Sequence, residues 1–242
     1  MDLMLFGDKF KGFWNDGPRW RVWLKRIATV LIAWPLVMTF VYGFVPVPIS
    51  NVMILRLFTG NGLHKDWVSL SEMSPELPRA VVASEDQRFC SHHGIDWIEF
   101  EDAFDGSDEA PRRGASTISM QVAKNLFLWD GRSFIRKGLE MPLALYMDTI
   151  WTKRRMLEIY LNIVEWAPGV YGAEAAAQHH FHKSAAQLSR REAALLAAVL
   201  PNPIKRDAGK PSAKVRVVAS RIQLRMAGIG SYLTCISQNP KL

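Results

Sequence analysis

Between Ile27 and Val45 the chain runs for nineteen residues without a charged side chain. At helical rise such a run covers roughly 28 Å, the thickness of a bilayer's hydrocarbon core. Backbone polar groups inside lipid are satisfied only within a helix or a closed barrel, so 27–45 reads as a single transmembrane helix. A cleaved signal peptide has a shorter apolar core followed by small residues. Here Phe44-Val45-Pro46-Val47-Pro48 follows, and a retained anchor is expected. Pro35 inside the run is tolerable in a lipid-embedded helix. Lys9, Lys11, Arg19, Arg21, Lys25 and Arg26 precede the run against Asp2, Asp8 and Asp16, whereas Arg56 and Lys65 are the first basic residues after it. That bias makes 1–26 a cytoplasmic basic tail, with Trp14, Trp20 and Trp23 near the interface, and places the rest beyond the inner membrane, in the periplasm.

The remainder is expected to be mainly helical. Pro46 and Pro48 end the anchor, and 46–73 reads as a membrane-proximal linker whose Met53, Ile54, Leu55, Leu57 and Phe58 are apolar enough to touch lipid or to pack on a core. A folded domain is expected over 74–242, opened by Ser74 as a helix cap with Pro75 at the first helical position. Asp96 starts an amphipathic piece with Trp97, Ile98, Phe100 and Phe104 as its apolar contacts. Residues 105–114 have the composition of a surface loop. Ser116 or Thr117 caps the next helix, on which Ile118, Val122 and Leu126 recur at fourfold spacing. Ser133 starts another, carrying Arg136 and Glu140 four apart, and Pro142 implies a kink or break. Lys153 to Ile163 and the apolar AALLAAVL after the Ser189 capping box read as buried helices. Arg216, Arg221 and Arg225 are spaced for one face of a final helix. His179, His180 and His182 lack a carboxylate at ligand spacing, which disfavours a metal site. Cys90 and Cys235 form neither a disulfide framework nor a zinc site; they either pair in an oxidising compartment or stay as buried thiols.

The chemistry concentrates in Val81–Gly94, VVASEDQRFCSHHG. Glu85 and Asp86 end an apolar helix, and partial desolvation there raises a carboxylate toward the range in which it works as a general base. A formal charge of +7 points to an anionic partner. With an anchor in the chain, that partner is an anionic lipid or phosphorylated substrate rather than nucleic acid.

Five segments, in order, carry a resemblance. E-D-x-x-F-x-x-H-x-G is met by Glu85, Asp86, Phe89, His92 and Gly94; G-x-S-T-I-x-x-Q-x-x-K-N by Gly114, Ser116, Thr117, Ile118, Gln121, Lys124 and Asn125. R-K-x-x-E is met by Arg136, Lys137 and Glu140, and K-x-x-x-L-E-x-Y-L-N by Lys153, Leu157, Glu158, Tyr160, Leu161 and Asn162. Arg190, Arg191, Ala193, Leu195, Ala197 and Ala198 supply the last. Together they resemble the family 51 glycosyltransferases, the biosynthetic transglycosylases that polymerise peptidoglycan. The chain ends soon after the fifth motif, which resembles the monofunctional form.

The resemblance implies a lysozyme-like helical domain acting on lipid II and a nascent glycan strand at the membrane, with undecaprenyl pyrophosphate leaving and the anomeric centre inverted. Cell-division or wall-synthesis proteins are implied as partners. Glu85 is the expected base, and Glu140 the second catalytic carboxylate, orienting a cation or the acceptor. Asp86, Phe89, His92, Gly114, Ser116, Thr117 and Gln121 are expected around the substrate. Lys124, Arg132, Arg136 and Lys137 are expected to neutralise the departing diphosphate. A magnesium or other divalent ion is also implied at the diphosphate, its site unknown and Asp86 the one carboxylate placed to help hold it. The chain departs from the usual pattern at Ala115 and Met120, the latter expected to remove a polar contact. Two other readings share parts of this pattern: a lysozyme-like lytic glycosidase and a non-catalytic, membrane-anchored partner of wall synthesis.

Overall fold

The computed structural model describes residues 18–60, 62–104, 116–131 and 133–236. It divides into two units, 1–44 and 45–242. In the first, α1 (Arg19–Tyr42) is the one helix among the described residues long and apolar enough to cross a membrane. It starts eight residues before the expected Ile27, because Arg, Trp and Lys continue a helix as readily as the apolar residues do. It ends at Gly43, short of Val45. Inside it, the Thr39 hydroxyl donates to the Pro35 carbonyl at 2.7 Å.

The second unit is a lysozyme-like helical domain with a small three-stranded sheet. Its elements are α2 (Asn51–Leu57), β1 (His64–Lys65), α3 (Glu76–Glu85), α4 (Trp97–Phe104), α5 (Ile118–Phe127), α6 (Phe134–Ile150), α7 (Lys153–Ile163), β2 (Glu165–Ala167), β3 (Val170–Tyr171), α8 (Ala173–Phe181), α9 (Arg190–Val199) and α10 (Ala213–Gly228). Strand β3 lies centrally, parallel to β1 and antiparallel to β2. Helix α8 packs on the sheet, and other helices form two groups. Helix α5 packs on α2, α6 and α7, while α3, α9 and α10 pack on one another. Trp166, Tyr160, Tyr171 and Phe89 fill the interior.

Side-chain caps set many of the helix starts. Thr117, Ser133, Thr152, Ser189 and Ser212 each accept from a backbone N–H three residues on. Of the two expected caps for α5, Thr117 holds the place. Helix α3 starts one residue later than expected, since Ser74 donates its hydroxyl to Leu188 at 2.7 Å and Pro75 becomes the N-cap.

The expected linker 46–73 belongs to the domain instead, which begins at Val45. Val47 and Met53 are fully buried. Asn51 donates to the Phe127 carbonyl at 2.9 Å, and Asn162 of α7 grips Val68 through both its amide N–H and its oxygen. Glu158 accepts from Leu70 N–H at 2.9 Å. The fourth motif therefore fastens this segment rather than facing a substrate.

Two smaller expectations change, and the alternative left open for the cysteines is decided. Helix α6 runs unbroken through Pro142. Trp97 and Ile98 are 51% and 59% exposed rather than core contacts. Cys90 and Cys235 are joined in a disulfide, their Cα atoms 5.5 Å apart. No group of three metal-ligating side chains occurs among the described residues, and His180 is held by Asp207 and the Trp166 carbonyl.

Candidate active site

The cavity lies where α3 and α10 face residues from α5 and α6, with a volume of about 920 Å³. Glu85, the last residue of α3, stands half-buried in its wall. Gln121 of α5 donates to Glu85 Oε2 at 3.1 Å, and Ser84 donates to Oε1 at 3.3 Å. The buried Tyr160 hydroxyl donates to Gln121 Oε1 at 3.0 Å, which turns the amide's N–H toward Glu85. Burial pushes the Glu85 carboxyl above its ordinary value; Asp86 adds to the rise, and Gln121, Ser84 and Arg206 oppose it. The carbonyl end of α3 is a negative dipole terminus and acts in the same upward direction.

Asp86 lines the cavity, but both its oxygens are in use. They lie 2.9 and 3.0 Å from His92 Nε2, and Oδ2 also accepts from Ile118 N–H at the start of α5 at 2.9 Å. A carboxylate at a helix N-terminus is well placed electrostatically, so Asp86 joins the end of α3 to the start of α5. His92 and Phe89 are buried. All three hold the backbone that presents Glu85; of these residues expected beside the substrate, Asp86 lines the cavity while Phe89 and His92 lie behind it. Thr117 lines the cavity and is largely buried, donating to the Gly94 carbonyl at 2.6 Å while capping α5. Gly94 has φ +78°, and a Cβ there would sit 2.7 Å from the Ala144 carbonyl oxygen, so this crossing of loop and α6 requires glycine.

The cations cluster on α5 and α6. Lys137 Nζ lies 2.7 Å from Ser116 Oγ and 3.1 Å from Glu140 Oε2, and Arg136 pairs with Glu140 Oε1. Glu140 is only 3% exposed. Of the two expected tasks, orienting a cation or the acceptor, its contacts match the first: it pairs with two cations and positions them. Lys124 lines the cavity with no carboxylate in ion-pair contact among the described residues. Burial lowers the Lys124 ammonium from its ordinary value. Burial, with Arg136 and Lys124 nearby, lowers Lys137 to about 8. Met120 is fully buried against Ile95, Ala144 and Met141, with its sulfur 3.9 Å from Lys137 Nζ. It backs the lysine rather than facing the cavity. Gly114, Ala115, Arg132 and the loop 105–114 lie outside the described residues.

Reasoning from the sequence missed several lining groups. Tyr160, a fourth-motif residue expected on a buried helix, lies behind the wall, where its phenol orients Gln121. Asp96, Glu99, Arg221 and Arg225 line the cavity. Asp96 is fixed by a two-pronged bond from Arg88, at 2.7 and 2.8 Å. The one signal for the arginines was their spacing along α10.

A divalent ion does not fit Asp86, whose oxygens already serve His92 and Ile118. Glu140 is committed to Arg136 and Lys137. These two carboxylates suit positioning rather than metal binding.

A transglycosylase family model matches residues 51–227. The biosynthetic peptidoglycan transglycosylase of Agrobacterium fabrum is 48% identical over 217 residues, covering 89% of this chain and 96% of its own length. That of Rhizobium meliloti is 46% identical over 235 residues, covering 93% and 98%. That of Nitrobacter hamburgensis is 53% identical over 180 residues, covering 74% and 80%. With residues of the first three motifs sharing one cavity that holds a carboxylate and three cations, the chain belongs to the transglycosylase family and is a peptidoglycan glycosyltransferase.

Proposed function

We propose that the enzyme polymerises lipid II into glycan strands with release of undecaprenyl pyrophosphate. The 4-hydroxyl of the acceptor's N-acetylglucosamine attacks the anomeric carbon of the donor's N-acetylmuramic acid. As the new C–O bond forms, Glu85 takes the hydroxyl proton; the bond to phosphate breaks and its electron pair leaves with the diphosphate, inverting the centre. Lys124, Arg136 and Lys137 neutralise the growing negative charge, Glu140 keeps two of them in place, and Ser116 offers a hydroxyl beside Lys137. One observation carries this reading: a half-buried carboxylate of raised pKa shares a cavity with three cations.

The reading includes a membrane orientation. Helix α1 anchors the chain with its amino terminus in the cytoplasm, and the catalytic domain lies in the periplasm. The Cys90–Cys235 disulfide supports an oxidising compartment for the domain. Ile54, Leu55, Leu57 and Phe58 at α2, with Phe134 and Ile135 of α6, form apolar surfaces on two helices that both pack on α5. In this proposal they enter the lipid where the polyprenyl tail arrives; Met53, fully buried, takes no part. Replacing Phe58, Phe134 and Ile135 with serine is expected to weaken binding of the anchor-free domain to anionic vesicles by about tenfold. Unchanged co-sedimentation would remove the lipid contact from the proposal.

Labelled lipid II incubated with the purified full-length protein tests the reaction itself. Glycan strands are expected; fragments released from intact sacculi, without strand formation, would mean a lytic enzyme instead. The pH profile follows from Glu85 at its acid limb and from Lys137, with the lowered Lys124 beside it, at its basic limb. Activity rises as Glu85 ionises, above the ordinary glutamate range, and declines as Lys137 loses its proton at about 8. Lys137→Arg keeps a cation at high pH, so the basic limb is expected to move up by a unit or more while the acid limb stays. A basic limb unmoved by that change would take Lys137 out of the charge account.

A further inference from the structure

The cations discussed so far lie on α5 and α6. A second group enters the same cavity from the far end of the chain. Helix α10 packs on α3, which ends in Glu85, and on α9, and presents Arg221 and Arg225 to the cavity beside an apolar strip of Val218 and Ile222. Neighbouring arginines on this part of the surface are engaged: Arg216 donates to the Pro211 carbonyl at 2.6 Å, and Arg190 donates to the Gln223 carbonyl of α10 at 2.9 Å. Arg221 makes no hydrogen bond or ion pair with any described residue, and it is exposed. Solvated arginines are ordinary on an outer helix face; this one borders the cavity that holds the catalytic carboxylate. A guanidinium presents a planar fork that matches a carboxylate or a phosphate.

Transfer between two lipid-linked sugars needs more than one anion site. The donor's diphosphate adjoins the bond that breaks and is served by Lys124, Arg136 and Lys137. The acceptor carries its own anionic groups at least one sugar away from its reacting hydroxyl. They require a cation on a separate part of the wall.

Resting on the proposed reaction, we infer that Arg221 is a substrate-binding residue that grips an oxyanion of the acceptor, on the α3–α10 side of the cavity. That oxyanion is a phosphate of the acceptor's diphosphate or a carboxylate of its peptide. Both present the same chemistry to the guanidinium.

The test uses full-length protein in detergent carrying Arg221→Glu, Arg221→Gln or Arg221→Lys. Steady-state polymerisation of lipid II is expected to show KM raised about tenfold by Arg221→Glu and severalfold by Arg221→Gln, with kcat within about twofold and Arg221→Lys within about threefold of wild type. The same changes placed on Glu85→Gln, and titrated with lipid II in the absence of turnover, are expected to raise Kd by matching factors. Unchanged thermal unfolding separates the effect from misfolding, and Arg221→Gln carries the test if Arg221→Glu fails to fold. A substrate lacking the peptide distinguishes the sources: a penalty that persists identifies the phosphate, and one that vanishes identifies the carboxylate. KM and Kd unmoved by both Arg221→Glu and Arg221→Gln would overturn the inference. Absence of any glycan from wild-type protein would sink the proposed reaction instead, while the titration would still report on Arg221.

Discussion

Replacing Glu85 with glutamine is expected to lower kcat for glycan formation by about 10²–10⁴-fold, the usual contribution of a positioned general base. KM should stay within a few-fold, because the substitution leaves the cations on α5 and α6 untouched. Glutamine has nearly the shape of glutamate and can still bond Gln121, so the loss would report proton transfer rather than a collapsed cavity. Stability supplies an independent check with the opposite sign. A carboxyl whose pKa is raised on folding binds its proton more tightly in the folded state, so its ionised form costs stability at neutral pH. The Glu85→Gln protein should therefore melt at the wild-type temperature or above it. Lost activity with lowered stability would indicate that Glu85 holds the fold together instead.

The second large effect concerns the disulfide. Cys90 and Cys235 are 145 residues apart, and closing a loop of that size restricts the unfolded chain by up to about 5 kcal/mol on the chain-entropy account. Cys90 follows the Glu85–Asp86 pair, whereas Cys235 lies just past α10, so the bond ties the loop after the base to the helix bearing Arg221. Arg154 reinforces the tie by donating to the Ile236 carbonyl at 2.9 Å. Replacing both cysteines with serine is expected to reduce unfolding free energy by about 2–5 kcal/mol, measured by denaturant titration in detergent. Reductant should lower the wild-type midpoint and leave the variant's unchanged. A wild-type midpoint indifferent to reductant would mean the bond carries no stabilisation.

Much of this arrangement was legible in the chain because its signals are local. Thr117, Ser133 and Ser189 sit where caps belong, the uncharged stretch marks α1, and Glu85 comes at the end of an apolar helix. Features made by distant contacts were not legible. Nothing within 46–73 shows that Asn162 and Glu158, some ninety residues on, bind its backbone and draw it into the domain. Glu140 has the same composition and spacing whether it faces an acceptor or is enclosed by Arg136 and Lys137; only packing on α5 decides. Motif membership did not distinguish a residue that lines the cavity from one that supports it, which is why Phe89 and His92 were placed one layer too close. Arg221 shows the converse, outside every motif and yet on the cavity wall.

The central claim is that the Glu85 carboxylate accepts the acceptor's proton, and titrating that carboxyl tests it most directly. Infrared difference spectra between wild-type and Glu85→Gln protein, followed across pH, isolate its protonated C=O band. The account predicts a midpoint above the ordinary glutamate value that coincides with the acid limb of kcat/KM. A midpoint at the ordinary value, or one unrelated to that limb, would contradict it.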